Sequence, residues 1–75
     1  MRLLIIASNP QELRALEAPI VVTPAVRMLA RTIQSEHDVQ ALRGLHFDAI
    51  VGMDLIDPTL AAHITPLLRS EPYHV

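Results

Sequence analysis

The sequence predicts a small α/β fold, a three-stranded and mostly parallel sheet with crossover helices in the order βαβαβα. Three observations predict it: short apolar runs recur, each ends in polar residues followed by proline, and the stretches between them carry helical spacing. The runs are Leu3 to Ala7 before Ser8, Asn9 and Pro10, then Ile20 to Val22 before Thr23 and Pro24, then Ala49 to Val51 before Asp54, Asp57 and Pro58. An apolar run without polar alternation suits a strand covered on both faces, as parallel strands are. A capping residue plus proline opens the helix that must cross back over the sheet.

The first strand, Leu3 to Ala7, is the most apolar and is expected at the centre of the sheet. Asn9, Pro10, Gln11 and Glu12 match a capping box with proline at the first helical position, Glu12 reaching back to the Asn9 backbone N–H. Leu13 and Leu16 supply the buried stripe of this helix and Pro19 ends it. Ile20 to Val22 reads as the second strand. From Pro24 to Gln34, Val26, Leu29, Ala30 and Ile33 fall at helical spacing, with Arg27, Arg31 and Gln34 on the opposite side and Met28 among the polar residues. The alternative makes Arg31 to Gln34 a short extra strand, because Thr32 and Ile33 are β-branched. Ser35 reads as a fresh N-cap, Val39 and Leu42 as the next buried stripe and Gly44 as the C-cap.

Asp48 to Met53 is the third strand. Asp57 caps the last helix, in which Leu60, Ile64, Leu67 and Leu68 share a face; Pro66 kinks it or leaves Thr65 to cap a separate final turn. Residues 1–70 form one domain, and 71–75 are expected to be a loose tail. The favoured strand order is 2-1-3, which resembles half of a Rossmann or flavodoxin-like sheet.

Composition narrows the function. The chain has 75 residues, of which 51% are hydrophobic. A chain this short buries roughly 60% of its unfolded surface, so some apolar surface is expected to remain for a partner, most simply a second copy. There is no cysteine, and the net charge is −2 with scattered basic residues, which argues against disulfides and nucleic-acid binding. Every basic residue is arginine; the absence of lysine excludes a Schiff-base lysine, a lysine general base and the lysine of a phosphate loop, and fits a GC-rich source genome. The apolar run Leu3 to Ala7 is shorter than a signal-peptide core of roughly 7 to 15 residues or a membrane span of about 20, so a cytoplasmic protein without membrane contact is expected.

Candidate sites follow from topology. In open parallel sheets ligands bind beyond the carboxyl ends of the strands, and Ser8, Asn9, Thr23 and Asp54, with Met53, are expected to gather there. Asn9, Thr23 and Asp57 are equally explained as caps; Ser8 and Asp54 are not needed as caps. Arg27 and Arg31, one helical turn apart in this reading, could grip an anion, and with Met28 they form a candidate interaction surface. His37, His46, His63 and His74 share no metal-ligand spacing, so no metal or cofactor is expected. A Ser8, His46 and Asp54 triad lacks the G-x-S-x-G elbow that would present its serine.

Two segments carry partial resemblances to known families. Asp38 to Asp54, with Ala41 and Leu42 before Phe47-Asp48-Ala49-Ile50-Val51, resembles the helix-to-strand passage of a response-regulator receiver domain, which implies a phosphorylated aspartate near a strand end. This chain has Ser8 and Asn9 where receivers carry an acidic pair, and no lysine. The same strand is similar to the Walker B pattern of nucleotide hydrolases, but no glycine-rich loop precedes it. The chain is therefore assigned to neither family. The expected function is a non-enzymatic protein–protein interaction module that self-associates. The alternative is a small-molecule, nucleotide or anion-binding protein, possible as an enzyme, with its site at the strand ends.

Overall fold

A computed structural model describes residues 1–21 and 23–68. Three parallel strands form one sheet in the order β2-β1-β3, with β1 at Arg2–Ala7, β2 at Arg27–Thr32 and β3 at Ala49–Val51. The order 2-1-3 and the small α/β class are those the sequence predicts. β1 is central because it alone is apolar enough to be enclosed by both neighbours and both helix layers: Leu3 to Ala7 are all buried. β1 pairs with β2 over its whole length, from Arg2 beside Arg27 to Ala7 beside Thr32, and with β3 from Leu3 beside Ala49 to Ile5 beside Val51.

Side chains alternate across a sheet, so Leu4 and Ile6 face one layer and Leu3, Ile5 and Ala7 the other. Leu4 and Ile6 join Ile33, Leu42, Phe47, Ile56, Leu60 and Ile64 in one core beneath α2 (Glu36–Gln40) and α3 (Pro58–Ile64). The opposite face carries α1 (Pro10–Glu17), packed on β1 and β2. None of the α1 side chains is fully buried. One short helix therefore covers a face that spans three strands, while two helices cover the other.

The helix starts follow the sequence closely. Asn9 is the N-cap of α1, its Oδ1 accepting the Glu12 N–H at 2.8 Å. Asp57 is the N-cap of α3, its Oδ1 accepting the Thr59 N–H at 2.8 Å. At α2, Asp38 Oδ2 accepts the N–H groups of Gln34 at 2.9 Å and Ser35 at 3.2 Å. These bonds hold the Asp38 carboxyl below its ordinary pKa of 3.8, the Gln34 N–H making the largest contribution. α3 stops at Ile64, and Thr65–Leu67 forms a separate 3₁₀ turn around Pro66; Thr65 lies within that turn instead of capping it, its Oγ1 donating to Ala61 O at 3.0 Å.

The second strand is misplaced in the sequence reading. β2 is Arg27–Thr32, inside the stretch expected to be helical, while Ile20 and Val21 belong to no strand and Val22 lies outside the described residues. Thr23 and Pro24 enter a turn, with the Val26 N–H donating to Thr23 O at 2.9 Å. The reason is pairing: β1 offers a full row of backbone groups, and Arg27–Thr32 satisfies six residues of it, outweighing the helical preference of Met, Leu, Ala and Arg. The short-strand alternative captured Arg31 and Thr32 but not the start. β3 is also shorter than Asp48 to Met53, since Met53–Leu55 turns into a 3₁₀ helix after Gly52. The tail at 71–75 lies outside the described residues.

Candidate functional site

The carboxyl ends of the strands bring together Ser8 and Asn9 after β1 and Met53 and Asp54 after β3, but not Thr23. Because β2 begins at Arg27, Thr23 precedes its strand and sits at the amino end of the sheet. Ser8 and Asn9 are occupied: Ser8 Oγ donates to Glu12 Oε1 at 2.8 Å and Asn9 Nδ2 donates to the same oxygen. Glu12 thus reaches back to these two side chains rather than to the Asn9 backbone N–H. Gln34, which the sequence reading left on a polar helix face, ties the strand ends together, its Nε2 donating to Ser8 O at 2.8 Å. Its signal was weak, because a polar residue just after a β-branched pair reads equally well as helix or loop.

Asp54 stands apart. It is exposed on the Met53–Leu55 turn, and no hydrogen bond or ion pair engages its carboxylate among the described residues. Gly52 explains why the turn leaves the sheet there. Its φ is +99°, and a Cβ would stand 1.9 Å from Ile6 O, so only glycine lets the chain turn this close to the β1 backbone.

The amino end of the sheet is built differently. The Met1 ammonium donates to Ala25 O at 2.8 Å, and the Arg27 N–H donates to Met1 O at 2.8 Å. Arg2 and Asp48 exchange two bonds, the Arg2 N–H donating to Asp48 Oδ2 and the Asp48 N–H to Arg2 O, both at 2.8 Å. The Phe47 N–H donates to Leu67 O at 2.9 Å, bringing Leu68 alongside Phe47. Arg2 and Arg27 are register partners and so project from the same face. Among the described residues no carboxylate lies within 4.0 Å of either guanidinium. A cleft of about 200 Å³ opens beside them, lined by Arg2, Arg27, Met28, Leu29, Leu45 and Phe47.

The exposed large hydrophobic residues collect at this end. They are Met1, Val21, Leu45 and Leu68, which lie on the start of β1, the α1-to-β2 connection, the α2-to-β3 connection and the segment beside Phe47. Of the candidate surface Arg27, Met28 and Arg31, the structure places Arg27 and Met28 here. Arg31 is near the other end of the same edge strand, so the helical pairing of the two arginines does not exist.

A larger groove of about 300 Å³ runs between α2 and α3, lined by Glu36, Val39, Gln40, Arg43, His63 and Leu67. His63 Nε2 stands 4.0 Å from Glu36 Oε1 across it, and Leu67 leads from it to the exposed Leu68. The smaller cleft is the better candidate because it brings two arginines together with the exposed Leu45. Among the described residues no group of His, Cys, Asp or Glu is placed to hold a metal ion, and no helix is long and apolar enough to cross a membrane. No protein-family model, curated protein or solved structure matches the chain.

Proposed function

We propose that the chain is a non-enzymatic interaction module that self-associates, and that the amino end of its sheet is the surface it uses. The observation that carries this reading is the convergence of Met1, Val21, Leu45 and Leu68 on one end of the molecule. Exposed apolar side chains scattered singly need no explanation, whereas a gathered set rimmed by charge is a feature of docking surfaces. The half-exposed β3, Ala49–Val51, adds to it, since parallel strands are normally covered on both faces. A ligand site at the strand ends draws less support, because Ser8 and Asn9 are spent on Glu12.

The test is the solution mass of the full chain by light scattering, measured beside a Val21→Ser, Leu45→Ser variant. Val21 is 81% and Leu45 37% exposed, and circular dichroism checks that the variant keeps its fold. Mass above the monomer for the natural chain, falling in the variant, is expected. A natural chain that stays monomeric into the millimolar range would overturn the reading.

A further inference from the structure

We infer that the partner of the amino-end surface is the opposite end of a second copy, with the Asp54 turn of one molecule seated between Arg2 and Arg27 of the next. This rests on the self-association reading and specifies its geometry.

Charge selects the geometry. Arg2 and Arg27 lie side by side on adjacent strands without a carboxylate partner among the described residues. Like charges directly opposite across strands destabilise a sheet, and an incoming anion relieves that repulsion. If two amino ends met face to face around a two-fold axis, their apolar residues would be buried, but each arginine pair would be driven toward its equivalent. Such a contact would desolvate four guanidinium groups against the two Asp48 carboxylates, which the Arg2 N–H groups already hold, an imbalance of charge that interfaces disfavour.

The carboxyl end has the complementary character. Glu12, Glu36, Asp38, Asp54 and Asp57 lie there, at or near the starts of α1, α2 and α3, and outnumber Arg31 at the end of β2. Acidic residues at helix starts are favourable for the helices themselves, which accounts for Asp38 and Asp57 as caps and for Glu12 holding Ser8 and Asn9. Asp54 has no such task. It is carried on a short turn between Met53 and Leu55, both half-buried, and so presents a carboxylate flanked by apolar side chains. That is the chemistry the cleft calls for, since its lining joins Arg2 and Arg27 to Met28, Leu29, Leu45 and Phe47. Arginine pairs bind carboxylates through paired, charge-assisted hydrogen bonds.

A contact between two different surfaces is heterologous, and it leaves one of each free at the ends. Association therefore continues rather than stopping at a dimer. Because the contact is charged, it weakens as salt rises.

The test uses three full-length chains: the natural sequence, Asp54→Arg, and Arg2→Glu with Arg27→Glu. All substituted side chains are exposed, and thermal melts confirm that each variant folds. Light scattering of the natural chain is expected to show a mass that climbs steadily with concentration and drops at high salt. Each variant alone is expected to remain monomeric, since one sets an arginine-bearing turn against the arginine pair and the other sets the Asp54 carboxylate against two glutamates. Mixed in equal amounts they restore complementary ends, and mass growth returns. A natural chain that saturates as a closed dimer insensitive to Asp54→Arg would overturn head-to-tail docking while leaving self-association standing. A folded natural chain that is monomeric throughout would overturn both.

Discussion

Replacing Gly52 by alanine tests the junction on which the sheet depends. Gly52 holds φ +99°, and a Cβ would stand 1.9 Å from Ile6 O, 3.0 Å from Ile6 C and 3.1 Å from Leu16 Cδ1. Leucine can rotate away; the Ile6 carbonyl cannot, because it belongs to the central strand. Two costs combine. The left-handed backbone costs an L-residue about 1 to 2 kcal/mol, and forcing apart packed elements costs about 1 to 3 kcal/mol more. A chain of this length is stabilised by roughly 4 to 11 kcal/mol at typical per-residue values, so Gly52→Ala removes a large share. Gly44 is the control. Its φ is +86°, with nothing within 4 Å of a Cβ, so Gly44→Ala bears the backbone cost alone. Urea unfolding followed by far-ultraviolet circular dichroism should place Gly52→Ala below Gly44→Ala by about 1 to 3 kcal/mol. Equal losses at the two positions would refute the account of β1 and β3 meeting at Gly52.

Asn9→Ala removes the acceptor of the Glu12 N–H and should cost about 0.5 to 2 kcal/mol in the same assay. Asp38 titrates below its ordinary 3.8 in the folded chain, so its ionised form favours folding. That contribution is complete above the unfolded value and is lost as pH falls through the lower folded one. Stability measured at descending pH should therefore drop through the region at and below pH 3.8, and Asp38→Asn should show a shallower drop.

The parts legible in the sequence are those where one residue type has one physical use. Asn9 with Pro10 and Asp57 with Pro58 open helices as caps do, and the unbroken Leu3 to Ala7 run marks the enclosed strand. The order 2-1-3 follows from putting that run in the middle. β2 was not legible because an edge strand is a compromise between two environments. Arg27 and Arg31 are exposed while Met28, Leu29 and Ala30 are half-buried, a pattern without clean alternation. Its residues are also good helix formers. Only the register with β1, a contact between residues 25 apart in Arg2 and Arg27, decides the matter, and no local window contains it.

The candidate site was hidden for the same reason. Thr23 copied the grammar of a strand end, yet it precedes its strand. Arg2 and Arg27 become neighbours only through that register, and Val21, Leu45 and Leu68 look like isolated apolar residues until three separate connections return to one end of the sheet. Asp54 stands out in the sequence because no cap requires it, and among the described residues its carboxylate, like that of Glu17, makes no hydrogen bond or ion pair.

The most direct test of the amino-end surface is a concentration series of two-dimensional amide spectra on the full-length natural chain. The account predicts concentration-dependent shifts that cluster on Val21, Ala25, Arg27, Leu45 and His46 and on the docked turn at Met53, Asp54 and Leu55, with the α2 and α3 groove residues Gln40 and His63 unmoved. Spectra identical from dilute to millimolar protein, or shifts centred on the groove instead, would contradict it.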